Sequence, residues 1–96
     1  MDLHIKDQLF IVGGASSGLG RAVAIRLLQE GASVIGVARG PEALMEMENE
    51  YPGQFRFVAA DITTNGALVE IVEMAGERQV HGVLVNAGGP PAKMIM

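Results

Sequence analysis

The chain has 96 residues, enough for one compact domain and too few for two. Apolar residues make up 49% and charged residues 19%, the balance of a globular chain rather than a disordered one. A net charge of −4 argues against nucleic acid or an anionic membrane as partner, and the lack of cysteine excludes disulfides and thiolate zinc sites and suits the cytoplasm. No run approaches the roughly 20 apolar residues of a bilayer span, and the stretch from Met1 to Lys6, with Asp2, does not read as a signal peptide.

The first element is the apolar run Leu9 to Val12, a buried strand ending at Gly13-Gly14. From Gly18 the spacing turns helical. Leu19, Val23, Ile25, Leu27 and Leu28 read as one apolar face, and Gly31 reads as the cap. Ala32 to Ala38 is a second strand. Pro41 opens a second helix to about Glu50, with Leu44, Met45 and Met47 inside and Pro52-Gly53 ending it. Phe55 to Ala59 is a third strand, Gly66 to Arg78 a third helix and Val80 to Val85 a fourth strand. The order βαβαβαβ predicts an α/β fold: a Rossmann-like, doubly wound parallel sheet in the order 3-2-1-4. Ligand is then expected where the order reverses, between the first and fourth strands. Both end in glycine-rich turns, Gly13-Gly14 and Asn86-Ala87-Gly88-Gly89.

Gly14, Gly18 and Gly20 form G-x-x-x-G-x-G between the first strand and the first helix. Glycines allow a sharp turn and a close approach to a pyrophosphate, and the helix N-terminus offers unpaired N–H groups to it. The same stretch, Gly14-Ala15-Ser16-Ser17-Gly18, also fits G-x-S-x-G, the nucleophile elbow of serine hydrolases, with Asp61 and His81 following in triad order. That alternative ranks low: an elbow belongs in a larger sheet with an oxyanion hole from an earlier strand, and it gives Gly20 no role. Ser16 and Ser17 are otherwise turn or capping residues. No phosphate loop of the G-x-x-x-x-G-K-[ST] type fits, because Arg21 follows Gly20.

Three motifs in register resemble the short-chain dehydrogenase/reductase family: Gly14-Ala-Ser-Ser-Gly18-Leu-Gly20, Ala60-Asp61, and Val83-Leu-Val-Asn86-Ala-Gly88. The resemblance covers essentially the whole chain. Gly13 stands where the family usually has threonine. The continuation Gly89-Pro90-Pro91 resembles the 3-oxoacyl-carrier-protein reductase branch. The resemblance implies that Gly14, Ser16, Ser17, Gly18, Leu19 and Gly20 form the phosphate turn. It implies that Asp61 accepts from the adenine amino group with Ile62 beside the ring, and that Asn86, Ala87 and Gly88 line the cofactor cleft. His81 stands where the family often has an acid and reads as surface structure.

An NAD site places an acid at the end of the second strand for the ribose hydroxyls, whereas an NADP site replaces it with a cation for the 2′-phosphate. Here that strand ends Val37-Ala38-Arg39-Gly40, so NADP is expected in preference to NAD, with Arg39 on the phosphate. Against this, Ser17 fills a loop position that many NADP-using relatives give to arginine.

The family's chemistry uses Tyr-x-x-x-Lys and an upstream serine. Tyr51 is followed four residues on by Phe55, and the lysines are Lys6 and Lys93, so the pair is absent and no catalytic residue is carried over. Residues 1–96 are therefore expected to be a dinucleotide-binding half-domain without the catalytic portion, and whether the chain is an enzyme stays open. The alternative class is a non-catalytic nucleotide-binding or interaction module. Ten residues after Asn86 are too few for another helix and strand, so the fourth strand is expected at a bare edge beside a half-covered sheet face. Self-association or a missing C-terminal portion is expected to cover them.

Overall fold

A computed structural model describes residues 6–15, 18–60, 65–85 and 93–95. The elements follow as β1 (Leu9–Gly13), α1 (Gly18–Gln29), β2 (Ser33–Ala38), α2 (Pro41–Glu50), β3 (Phe55–Ala59), α3 (Asn65–Ala75), β4 (Val80–Val85) and β5 (Lys93–Ile95). They form one sheet in the order β3-β2-β1-β4-β5. The first four strands are parallel, in the expected 3-2-1-4 order, with Gly13 opposite both Val37 and Val85.

β1 is buried along its whole length because it is covered on both faces. Its alternate residues divide between two cores. Phe10 and Val12 join Val34, Phe55 and Leu84 under α1 and α2. Leu9 and Ile11 join Ile35, Val37 and Val58 under α3. The first two helices therefore share one face and the third lies alone on the other.

The helix faces differ from the sequence reading at two residues. The buried stripe of α1 is Gly20, Ala24, Leu27 and Leu28, whereas Leu19 is 54% exposed. In α2, Leu44 and Met47 are buried three residues apart, but Met45 is turned about 100° from Leu44 and is 54% exposed. Two helix ends are set by glycine. α1 closes in a Schellman motif: Gly31 has φ 89°, Ala32 N–H donates to the Leu27 carbonyl at 3.0 Å, and Gly31 N–H donates to the Leu28 carbonyl at 3.0 Å. α3 stops at Ala75, short of the expected Arg78. Gly76 takes φ 59° there, and its N–H donates to the Val72 carbonyl at 3.1 Å, which ends the helical path.

The expected bare edge of β4 is also corrected. β5 runs antiparallel along it, pairing Lys93 with Val85, Met94 with Leu84 and Ile95 with Val83. A return of this kind needs only a loop, not the helix that a parallel strand would require. Among the described residues, α3 is the helix that packs on the second face.

Gln54, after α2, donates through Nε2 to the Leu28 carbonyl at 3.1 Å and the Ala32 carbonyl at 3.0 Å, tying β3 to the end of α1. Tyr51 is half-buried against the same core, and its carbonyl accepts from the Gln54 and Phe55 N–H groups. Across the amino edge, Arg78 Nη2 donates to the Asp7 carbonyl at 2.9 Å, and Asp7 N–H donates to the Gly31 carbonyl at 3.0 Å. Asp7 takes φ 66° to make both bonds.

Candidate functional site

The parallel register brings the ends of β1, β2 and β4 to one edge of the sheet, with β1 between its neighbours. This carboxyl edge is where doubly wound sheets bind ligand. Two loop glycines there have left-handed backbones, Gly14 at φ 76° and Gly18 at φ 59°. A side chain at either position would cost about 1–2 kcal/mol. α1 starts at Gly18, so its first-turn N–H groups open onto the edge. Gly18 and Leu19 are exposed there.

Gly20 is buried in the first turn of α1. A Cβ built on it would strike the Gly14 carbonyl oxygen and lie 2.7 Å from the carbonyl carbon. The absence of a side chain thus lets the helix close onto the turn, which is the role a dinucleotide site needs from a third glycine. The turn is also fixed to the next strand: Gly14 N–H donates to the Val37 carbonyl at 2.7 Å, and Ala15 N–H to the same oxygen at 3.5 Å. Arg39 follows two residues later, exposed at the end of β2. The structure therefore brings Gly14, Gly18, Leu19, Gly20 and Arg39 to one edge. Ser16, Ser17, Asp61, Ile62, Asn86, Ala87 and Gly88 lie outside the described residues.

Sequence reasoning missed Gly36. A Cβ there would come within 2.6 Å of the Phe55 ring and 3.0 Å of Ala15 Cβ, and Ala15 is fully buried under the turn. Gly36 thus lets the turn at Gly14 and Ala15 and strand β3 pack over β2. A lone glycine inside an apolar strand is the signal for such an approach.

His81 lies at the other end of the sheet. It is the extra residue of a bulge, between Val80 opposite Leu9 and Gly82 opposite Phe10. Its Nδ1 accepts from Leu9 N–H at 3.4 Å, and its ring lies 6.4 Å from that of Phe10. From His81 to Val85 is four residues, about 13 Å of strand. A triad at the carboxyl edge is out of its reach, and the hydrolase alternative falls. A cleft between Glu48, Asn49, Pro52, Gly53, Phe55 and Arg56 also opens at the amino end of β3, away from the strand ends that hold ligand in such sheets.

The family model described as short chain dehydrogenase matches residues 8–96. The chain belongs to the short-chain dehydrogenase family. Among curated members, it is 31% identical over 86 residues to an uncharacterized oxidoreductase of Staphylococcus epidermidis, covering 88% of this chain and 37% of that protein. It is 37% identical over 89 residues to a 3beta-hydroxysteroid dehydrogenase of Mediterraneibacter gnavus, covering 85% and 32%. Among solved members, L-sorbose reductase from Gluconobacter frateurii, complexed with NADPH and L-sorbose, superposes with a TM-score of 0.77 at 28% identity, covering 93% of this chain and 36% of that one. The chain thus spans about a third of the length of these short-chain dehydrogenases. Among its described residues no helix is long and apolar enough to cross a membrane, and no group of three potential metal ligands occurs.

Proposed function

We propose that this chain is the NADP-binding half-domain of a carbonyl or alcohol oxidoreductase, working in the cytoplasm. The observation that carries the reading is the junction of Gly14 with Val37. It sets the phosphate turn beside the end of β2, where the chain offers Arg39 and no acid. Family members bind nicotinamide dinucleotides, and a solved relative was complexed with NADPH.

Gly20 lets the first turn of α1 close onto the backbone of Gly14, so that the helix N-terminus faces the loop where a pyrophosphate would lie. Gly14, Gly18 and the backbone of Leu19, with Ser16 and Ser17, would hold the phosphates at the N-terminus of α1. Arg39 would pair with the 2′-phosphate and stack on adenine. Asp61 would accept from the adenine amino group, with Ile62 beside it, and Asn86, Ala87 and Gly88 would line the cleft. The bound cofactor supplies or accepts the hydride. Nothing in these 96 residues is assigned to proton transfer, since Tyr-x-x-x-Lys is absent. These residues are assigned cofactor binding alone, and the alternative use of the same site is as a non-catalytic nucleotide-binding module. The 3-oxoacyl-carrier-protein reductase branch is a finer reading that rests on Gly89-Pro90-Pro91.

Calorimetric titration with NADPH and NADH tests the reading. The wild type is expected to prefer NADPH by tenfold or more, about 1.4 kcal/mol. Arg39→Ala is expected to lose that preference while still binding NADH. Equal affinity of the wild type for both cofactors would remove the NADP assignment. Turnover of generic carbonyl substrates with NADPH would overturn the non-catalytic reading.

A further inference from the structure

Asparagine precedes glycine once in the sequence, at Asn65-Gly66; Asn49 precedes Glu50 and Asn86 precedes Ala87. The pair opens α3, and both residues are exposed. The side-chain amide carbon of an asparagine lies within reach of the backbone nitrogen of the next residue. Three things oppose the closing of that ring. A side chain on the next residue crowds the nitrogen, a hydrogen bond occupies its N–H, and a rigid backbone holds it out of line.

At Asn65-Gly66 all three are weak. Gly66 has no side chain, and nothing lies within 4 Å of where its Cβ would be. Its N–H is among the first four of α3, which have no partner inside the helix. Helical angles at Asn65 do not align the Gly66 nitrogen with the amide carbon, so the ring closes from a frayed turn. Fraying costs little at a helix end, and a glycine there lowers the cost further. Asn49 has none of these features. It lies in the last turn of α2, and the residue after it, Glu50, has a side chain and an N–H bonded inside the helix.

We infer that Asn65 is a deamidation site, where this chain slowly modifies itself. The Gly66 nitrogen gives up its proton to solvent and bonds to Cγ of Asn65. The Cγ–Nδ2 bond breaks, and Nδ2 leaves as ammonia with a proton from water. The resulting five-membered succinimide takes up one water. Opening at one carbonyl gives aspartate. Opening at the other gives isoaspartate, in which the main chain runs through the side-chain carbon. No electrons are gained or lost, and solvent water is the only reactant.

The two products act differently at this position. The first turn of α3 carries no acid. An aspartate at residue 65 places a negative charge at the helix N-terminus, where the free N–H groups favour it. Isoaspartate adds a backbone carbon and interrupts the helical repeat. In either form a new charge appears at the carboxyl edge of the sheet, since α3 follows the end of β3, where Ala59 pairs with Ala38. The inference is independent of cofactor binding.

The test incubates the 96-residue chain at mildly alkaline pH and follows its intact mass, which is expected to rise by about 1 Da. Trypsin then places the three asparagines on separate peptides, residues 40–56, 57–78 and 79–93. The gain is expected in 57–78, as two products of equal mass that separate by chromatography; the isoaspartyl one is the mark of the ring. The rate in the folded chain is expected to lie within about tenfold of that in the isolated 57–78 peptide, the difference being the cost of fraying one turn. Gly66→Ala is expected to slow the reaction at least about tenfold, and Asn65→Gln to abolish the gain, because its ring would need six members. A chain that reacts more than about tenfold slower than the peptide would show that the helix locks the pair, and would overturn the inference. So would an equal gain at Asn49 or Asn86, an unchanged rate in Gly66→Ala, a gain that persists in Asn65→Gln, or aspartate as the sole product.

Discussion

Gly20 packs against the carbonyl group of Gly14, leaving no space for a methyl group between the first turn of α1 and the loop that precedes it. The neighbour is backbone, so it cannot swing aside. Gly20→Ala is expected to destabilise the chain by about 1–3 kcal/mol and to weaken NADPH binding at least tenfold. Gly66→Ala provides the contrast. Gly66 lies in the first turn of α3 with nothing within 4 Å of an added Cβ and no positive φ. There alanine is expected to be neutral or stabilising by up to about 1 kcal/mol. Urea unfolding of the two variants checks both signs, and equal effects would dissolve the argument for close approach.

Gly36 and Phe55 should behave as a coupled pair. Gly36→Ala drives a Cβ to 2.6 Å from the fully buried ring of Phe55. A loss of about 1–3 kcal/mol is expected from overpacking. The double variant Gly36→Ala, Phe55→Leu should be more stable than the sum of the two single losses predicts. A thermodynamic cycle measures the difference, which is expected to be at least about 0.5 kcal/mol for residues in contact.

Gln54→Ala removes one side chain that serves two carbonyls, those of Leu28 and Ala32, and leaves both in a partly buried place. A loss of about 1–3 kcal/mol is expected. Hydrogen exchange should show faster opening at the α1 end than in β1. An unchanged unfolding midpoint would mean that solvent satisfies these carbonyls as well as the amide does.

The strands were the most legible part of the fold. Phe55–Ala59 and Val80–Val85 match the sequence reading at both ends, and β1 is apolar throughout, because strands of a parallel sheet leave little choice of residue. Helix faces were less legible. Leu19 and Met45 are apolar without being inside, since composition says only that a residue tolerates burial. The end of α3 was hidden because Glu77 and Arg78 suit a helix, and the deciding fact is the backbone angle of Gly76. β5 gave no signal: three residues after two prolines carry no alternation long enough to read. At the site, the glycine spacing located the turn, but it could not say that Gly36, far along the chain, makes room for Ala15 beneath it.

Asp7 holds a left-handed backbone while its two peptide groups bond to Gly31 and, through the carbonyl, to Arg78. Asp7→Ala should lose about 1 kcal/mol, whereas Asp7→Gly should stay within about 0.5 kcal/mol of wild type, because glycine accepts that angle. Arg78→Ala, at an exposed bond, is expected to cost about 0.5–1.5 kcal/mol. Thermal unfolding of the three variants checks the order. Equal losses for the alanine and glycine variants at residue 7 would assign the effect to the lost carboxylate instead of the backbone.

The half-buried ring of Tyr51 gives the chain a built-in optical probe. It is the only tyrosine, and there is no tryptophan. It sits where α2 ends and β3 begins, at the amino edge. Its emission therefore reports the packing of that junction and little else. Nicotinamide fluorescence, by contrast, would arise at the carboxyl edge. Two colours would then follow two ends of one sheet in a single cuvette, separating loss of cofactor from loss of structure without a label.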